Sequence, residues 1–161
     1  MKPSILFACI FLIAALSGCG TRSDPSSSGS ATSAASNGAQ AATASRYDSG
    51  PRAGEQAIDE SRVAAGEKLF QSKGCSACHA FGKKMTCPDL DGVTMRRTAQ
   101  WMENQILHPD VMVKQDPISH QLFAQYALQM PNQGLTPDEA RTVIEFLKHK
   151  NHESLEGKKG E

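Results

Sequence analysis

Three side chains able to bind a metalloporphyrin lie together in the pentapeptide Cys75-Ser76-Ala77-Cys78-His79. Two thiols three residues apart, followed at once by an imidazole, form the attachment pattern of a c-type haem. In that chemistry Cys75 and Cys78 bond to the two vinyl groups of the porphyrin, and His79 reaches the iron. Similar groupings also occur in zinc sites and in redox dithiols, so the rest of the sequence must decide between these interpretations.

Neither alternative finds support around the pentapeptide. A zinc site needs further Cys or His ligands at matching spacing, and none follows. A thioredoxin-like dithiol normally opens a helix after a strand, and no strand-like alternation of apolar residues surrounds Cys75. Covalent haem c is therefore the favoured cofactor, with a haem-free exported thiol–disulfide protein as the weaker alternative.

The N-terminus has the pattern of an export signal. Lys2 precedes an apolar run over residues 5–16, which is shorter than the roughly 20 residues that span a bilayer. We interpret residues 1–18 as a signal peptide. The run ends in Leu16-Ser17-Gly18-Cys19, which resembles the lipobox of bacterial lipoproteins.

That resemblance implies cleavage before Cys19, lipidation of its thiol with a palmitate-type chain, and acylation of the new amine. More than one acyl chain is what stable anchoring requires. The mature protein is then exported and lipid-anchored to a bacterial membrane, on its periplasmic or outer-facing side. An ordinary signal peptide with a coincidental cysteine, or an uncleaved anchor, remains the alternative.

Composition divides the rest of the chain into three parts. Residues 19–58 contain the lipidated cysteine and a Ser-, Ala- and Gly-rich stretch that we expect to be a disordered tether. Such a coil has a root-mean-square span of roughly 35 Å. Residues 59–150 have periodic apolar positions and form the predicted folded domain, and residues 151–161 are a polar tail.

The folded part is predicted to be all-α, with about four helices around one haem. The first covers about 59–73, with Gly66 as a point of close helix approach. The second runs from about Thr98 to before Pro109, and the third begins near Pro117. The last has the clearest start, because Thr136-Pro137-Asp138-Glu139 combines an N-cap, a proline at the first helical position and a capping glutamate.

Charge excludes one class of partner. The chain has 17 basic and 17 acidic residues and no basic stripe, so nucleic acid is not an expected ligand. No nucleophile or acid–base pair lies in a recognisable setting either, so we do not expect an enzyme.

A haem iron needs a second axial ligand or an open face. Met130 is favoured because Pro131 follows it and the next residues predict a loop between helices, where a ligand side chain is available. Methionines within apolar helical stripes are more often core residues. The other candidates are Met85, Met95, Met102, Met112, His108, His120, His149 and His152.

Over residues 65–147 the chain resembles a class I monohaem cytochrome c domain. The matching residues, in order along the chain, are Gly66, Phe70, the Cys75-Ser76-Ala77-Cys78-His79 motif, Pro88, Leu90, Trp101, Met130, Pro131, Phe146 and Leu147.

The resemblance implies roles for several of these residues. Gly66 and Phe146 would mark the crossing of the terminal helices, and the Pro88 carbonyl would accept a hydrogen bond from His79. Arg97 and Trp101 would donate hydrogen bonds to a haem propionate. One departure concerns Cys87, where many relatives have glycine. We expect Cys87 to be a partly buried residue beside the haem.

The predicted function is a membrane-tethered single-electron carrier with a His79/Met130-ligated haem c, acting between components of a respiratory chain. The expected partners are redox proteins: a donor such as a quinol-oxidising complex, and an acceptor such as a terminal oxidase or nitrous oxide reductase. The alternative within haem proteins is a gas or redox sensor with a displaceable sixth ligand.

Overall fold

The regular elements of the chain are all helical over residues 44–159, which are the residues that the computed structural model describes. No β-strand occurs in that range, which confirms the all-α prediction. Its α-helices are α1 (Glu60–Ser72), α2 (Val93–Arg96), α3 (Ala99–Leu107), α4 (Pro109–Gln115), α5 (Pro117–Tyr126) and α6 (Pro137–Lys159), and it has short 3₁₀ turns at Ala53–Glu55 and Cys75–Ala77.

The four helices predicted from sequence correspond to α1, α3, α5 and α6. The short helices α2 and α4 were not predicted, because one or two turns are too brief to show a 3.6-residue apolar period. At α6 the predicted capping box is present. The Thr136 backbone N–H donates to Glu139 Oε2 at 2.8 Å, and the Glu139 N–H donates to Thr136 Oγ1 at 3.2 Å.

The first and last helices cross at Gly66. A Cβ atom there would lie 2.8 Å from Cβ of Phe146 and would collide with the carbonyl oxygen of Thr142. Glycine is therefore required for the backbones to approach this closely, as the sequence predicted. Phe70, one turn later on α1, packs its ring 5.5 Å from that of Phe146.

The core lies where α1, α3, α4 and α6 meet. Its apolar side chains face one another at helical spacing and are almost completely removed from water. They are Phe70, Trp101, Met102, Met112, Val143, Ile144, Phe146 and Leu147.

The predicted boundary between tether and domain at residue 58 is wrong, because the described residues 44–58 pack against the helices. Ala53 is 0% exposed, and its N–H donates to the Arg97 carbonyl at 3.0 Å. Asp48 Oδ1 accepts from the Thr98 N–H at 2.7 Å. A segment poor in large apolar residues is held here by hydrogen bonds and ion pairs, which composition does not reveal.

The polar tail predicted from residue 151 is also corrected, because α6 continues to Lys159. Asn151 is 2% exposed, and its Oδ1 accepts from the N–H and the hydroxyl of Thr94, each at 2.9 Å. Its Nδ2 donates to the Leu90 carbonyl at 3.1 Å. This polar residue therefore belongs to the folded domain.

The predicted signal peptide (1–18), Cys19 and residues 20–43 of the tether lie outside the described residues. Between residues 44 and 159, no helix has the length and apolar character needed to cross a membrane.

Candidate functional site

An apolar cavity opens between the Cys75–His79 loop, helix α3 and the loop that joins α5 to α6. Cys75 and His79 lie on its wall, and so does Met130. Met130 is far from the other two residues in the sequence, and only the packing of the helices brings it to the same cavity. Much of the remaining wall is hydrophobic and includes Phe70, Leu90, Trp101, Ile106, Val143 and Leu147.

A tight turn presents the two thiols. Gly74 has φ +77°, a left-handed conformation that ends α1 and suits glycine. The chain then turns so that the N–H groups of Cys78 and His79 donate to the Cys75 carbonyl at 3.2 and 3.0 Å. Both thiols are free and half-buried, and burial raises the pKa of Cys75 above its usual range.

His79 is oriented for ligation by its second ring nitrogen. Its Nδ1 lies 2.8 Å from the Pro88 carbonyl oxygen, the contact that the sequence resemblance implied. A ring that donates from Nδ1 leaves Nε2 with a free lone pair. Burial lowers the pKa of His79 and outweighs the opposing effect of the Pro88 carbonyl. The ring is therefore neutral at pH 7, which is the form that binds a metal.

Met130 is held on the facing loop. Its Sδ lies 3.9 Å from Gln105 Nε2, which donates to it from α3. Asn132, two residues later, donates from Nδ2 to the Leu107 carbonyl at 3.0 Å and so ties the loop to the end of α3. Of the other axial-ligand candidates, Met102 alone lines this cavity, and it is a core residue with 3% exposure.

The two residues expected at a haem propionate have different surroundings. Arg97 lines the cavity and pairs with Asp48 at 3.6 Å. Burial lowers the pKa of Arg97 below its ordinary value, and the guanidinium still remains charged. For Trp101 the predicted hydrogen bond to a propionate is corrected. Its indole Nε1 already donates to Asp116 Oδ1 at 3.0 Å.

Cys87 lies beside the attachment turn. It is 6% exposed and lines the cavity, and its N–H donates to the Cys78 carbonyl at 3.2 Å. Burial and the neighbouring Cys78 raise the pKa of the Cys87 thiol. Its buried position beside the turn is the one that the sequence predicted.

Three polar residues at the cavity were missed by sequence reasoning. Gln105 and Ser119 line it, and Asp116 lies directly behind them. Gln105 follows Trp101 by four residues on α3, so the two lie on one helix face. That spacing was the available signal.

These residues form a suitable pocket for a porphyrin. Two thiols lie on one turn, a neutral imidazole has a free nitrogen, a thioether is on the opposite loop, and the wall between them is largely apolar.

Comparison with known proteins agrees with this geometry. A family model described as cytochrome c matches residues 63–151, more than half of the chain. The chain belongs to the cytochrome c family. Its cofactor is accordingly one covalently bound haem c, and the family's function is haem-based electron transfer.

Individual relatives share the cytochrome c domain. Cytochrome c-551 from Pseudomonas denitrificans is 29% identical over 82 residues, which is 51% of this chain and 93% of that protein. A cytochrome c from Rhodothermus marinus has 32% identity and a TM-score of 0.58, with coverage of 62% of this chain and 84% of its own. An engineered form of that cytochrome has 30% identity and a TM-score of 0.57, with 60% and 84% covered.

Proposed function

We propose that this protein is a membrane-tethered single-electron carrier whose haem c is attached through Cys75 and Cys78 and ligated by His79 and Met130. The observation that carries the proposal is the meeting of Cys75, His79 and Met130 on one apolar cavity. A cysteine pair with another purpose would not need a thioether held opposite its histidine.

The surrounding residues suit one-electron chemistry. When bound, the haem supplies an Fe(II)/Fe(III) couple. The Pro88 carbonyl holds the His79 ring in one orientation and keeps its proton on Nδ1. The largely apolar wall and a thioether ligand favour the less charged ferrous state, which raises the reduction potential. The side chains around the cavity thus suit the tuning of a reduction potential.

Arg97 is the proposed propionate partner. It reaches the cavity from the loop before α3, and Asp48 and the Arg96 carbonyl hold its guanidinium at 3.6 and 2.8 Å. A guanidinium group that is already held in position loses little conformational entropy when it binds a carboxylate. Trp101 contributes to this site by packing, since its N–H is engaged elsewhere.

Export and the lipid anchor at Cys19 complete the proposal. They are supported by the apolar run over residues 5–16 and by Leu16-Ser17-Gly18-Cys19. A tether raises the effective concentration of the domain near membrane-bound partners, provided that it spans the distance. The partners we propose are redox proteins: a quinol-oxidising donor, and a terminal oxidase or nitrous oxide reductase as acceptor.

Spectroscopy of the holoprotein tests the ligands. A pyridine haemochrome assay should show one covalent haem, and ferric protein should show the weak red charge-transfer band of methionine–iron bonding. Met130→Ala should abolish the band, whereas Met95→Ala should keep it, because Met95 is 42% exposed and does not line the cavity. A band that survives Met130→Ala would show that another residue is the ligand.

The same preparation distinguishes the sensor alternative. Ferrous wild-type protein with a firmly held Met130 should bind carbon monoxide poorly at neutral pH. Rapid binding would favour a gas sensor. The anchor is tested separately by labelling cells with radioactive palmitate, which should mark wild-type protein and leave the Cys19→Ser variant unlabelled.

A further inference from the structure

A connected set of hydrogen bonds lies behind Met130. The Trp101 indole N–H donates to Asp116 Oδ1 at 3.0 Å. Ser119 Oγ lies 3.0 Å from the same oxygen and 2.6 Å from Gln105 Oε1. The Gln105 amide then donates from Nε2 to Met130 Sδ at 3.9 Å. Four side chains from α3, α5 and the N-cap of α5 thus connect to the sulfur on the facing loop.

Chemistry determines the orientation of the Gln105 amide. A thioether sulfur only accepts hydrogen bonds, so the NH₂ group must face Met130 and the carbonyl must face Ser119. A hydroxyl has one proton, and the contact of Ser119 with Gln105 Oε1 is the shorter of its two. Ser119 therefore holds the amide in the orientation that donates to sulfur.

Asp116 fixes the position of Ser119 in turn. The Asp116 side chain is 1% exposed, and its Oδ1, as the N-cap of α5, accepts from the Ser119 backbone N–H at 2.8 Å. Ser119 is 4% exposed, so water does not compete for its hydroxyl. A buried side chain that makes a hydrogen bond has few alternative orientations. Gln105, which is half-buried, thus obtains a fixed direction from the two residues behind it.

We propose that Gln105 is a positioning residue for Met130, oriented by Ser119 and Asp116, and that its N–H donation to the sulfur raises the reduction potential. The proposal rests on the proposed role of Met130 as axial ligand. A proton directed at the sulfur withdraws electron density from it and makes it a poorer donor. A poorer donor stabilises the ferric state less, and hydrogen bonds around an axial ligand are an established means of tuning a haem.

The contact also favours retention of the ligand. A thioether oriented by a hydrogen bond has less freedom to rotate out of the cavity than one held by van der Waals contact alone. Loss of the donor should therefore affect two properties: the potential, and the pH at which the methionine is displaced.

The experiment compares Gln105→Leu with Gln100→Leu in holoprotein. Gln100 is an exposed residue on the same helix and serves as the matched control. Gln105→Leu should lower the equilibrium constant for reduction about threefold to tenfold, which is about 30–59 mV for a one-electron couple. It should also lose the red methionine–iron band at a lower pH than wild type. Gln100→Leu should change neither property.

Ser119 supplies a second test that leaves the amide in place. Ser119→Ala removes the hydroxyl that orients Gln105 and should shift the potential in the same direction by a smaller amount. Ser119→Thr keeps a hydroxyl and should restore most of the wild-type value. These substitutions also keep the test available if Gln105→Leu does not fold.

Two results separate this inference from the proposed function. Wild-type potential and wild-type band stability in both Gln105→Leu and Ser119→Ala would refute the positioning role, while the loss of the band in Met130→Ala would still support the ligand. Persistence of the band in Met130→Ala would instead refute the ligand assignment.

Discussion

Gly66→Ala tests the helix crossing on which the haem cavity is built. The new Cβ would lie 2.8 Å from Phe146 Cβ and 3.1 Å from the Thr142 carbonyl carbon, and it would overlap the Thr142 oxygen. Carbon atoms in good contact are about 3.5–4.0 Å apart. Two of these neighbours are backbone atoms, which cannot rotate away, so α1 and α6 must separate.

The expected cost follows from two opposing effects. Overpacking a core typically costs about 1–3 kcal/mol, and a clash with backbone lies at the upper end. Replacing glycine by alanine inside a helix stabilises the helix by about 1 kcal/mol. The net loss is therefore about 2 kcal/mol. In a domain of this size it corresponds to a decrease in Tm of about 8 °C.

Thermal unfolding of the holoprotein, followed by far-ultraviolet circular dichroism, measures this decrease. Gly157→Ala is the control, because Gly157 lies on α6 and a Cβ there meets no atom within 4 Å. The control should keep or slightly raise Tm. If Gly66→Ala also keeps or raises Tm, the close crossing is not a constraint and the packing argument fails.

Three further predictions concern buried polar and thiol groups. Asn151→Leu should lower the free energy of unfolding in urea by about 3 kcal/mol, because it removes three hydrogen bonds and leaves the buried Thr94 N–H unpaired. Asp116→Asn should destabilise the protein at neutral pH, and the difference from wild type should shrink as the pH falls. Cys87 should react slowly with iodoacetamide in native holoprotein and rapidly in denaturant, since its thiol is buried and its pKa is raised.

The direction of this pH dependence follows from the surroundings of Asp116. Burial alone would raise its pKa, but hydrogen bonds from Ser45, Ser119 and Trp101 outweigh burial and lower the pKa below its ordinary value of 3.8. A lowered pKa stabilises the fold above the unfolded value, and this stability is lost as the pH falls through the folded value. A difference between variant and wild type that grows on acidification would contradict this assignment.

The predictions for Asn151 and Cys87 each have a matched control variant. His152→Ala changes an exposed side chain beside Asn151 and should leave the unfolding free energy nearly unchanged. A similar loss in both variants would mean that the buried hydrogen bonds are not the cause. Cys87→Ser should abolish the slow alkylation, and alkylation that persists would reveal another free thiol.

Local sequence patterns predicted much of the fold. The capping box at Thr136 and Glu139 forms as expected, since both partners lie within one turn and need no distant contact. Gly66 was recognised as a point of close approach because glycine inside an apolar helix has a cost that packing must offset. The capping box forms between neighbours in the sequence, whereas Gly66 was recognised by its local cost alone, and its partners on the last helix are known only from the structure.

The missed features depend on distant partners. The segment before residue 59 seemed unable to fold, yet Asp48 pairs with Arg52 at 2.9 Å and binds the Thr98 N–H some fifty residues away. Trp101 was assigned to a propionate, but its indole N–H donates a hydrogen bond to Asp116, the N-cap residue of a different helix. Hydrogen bonds between residues that are distant in the sequence produce no periodic pattern from which they could be predicted.

The sequence by itself determined the cofactor chemistry, because Cys75, Cys78 and His79 must lie within one short turn to bond one porphyrin edge and reach its iron. Tertiary structure decided which side chains face that turn. Met130 and Gln105 come from separate elements, and only the packing of α3 and α5 brings the amide to 3.9 Å from the sulfur. Spacing along a chain specifies covalent attachment, whereas the environment that tunes a redox centre depends on contacts made after the helices pack.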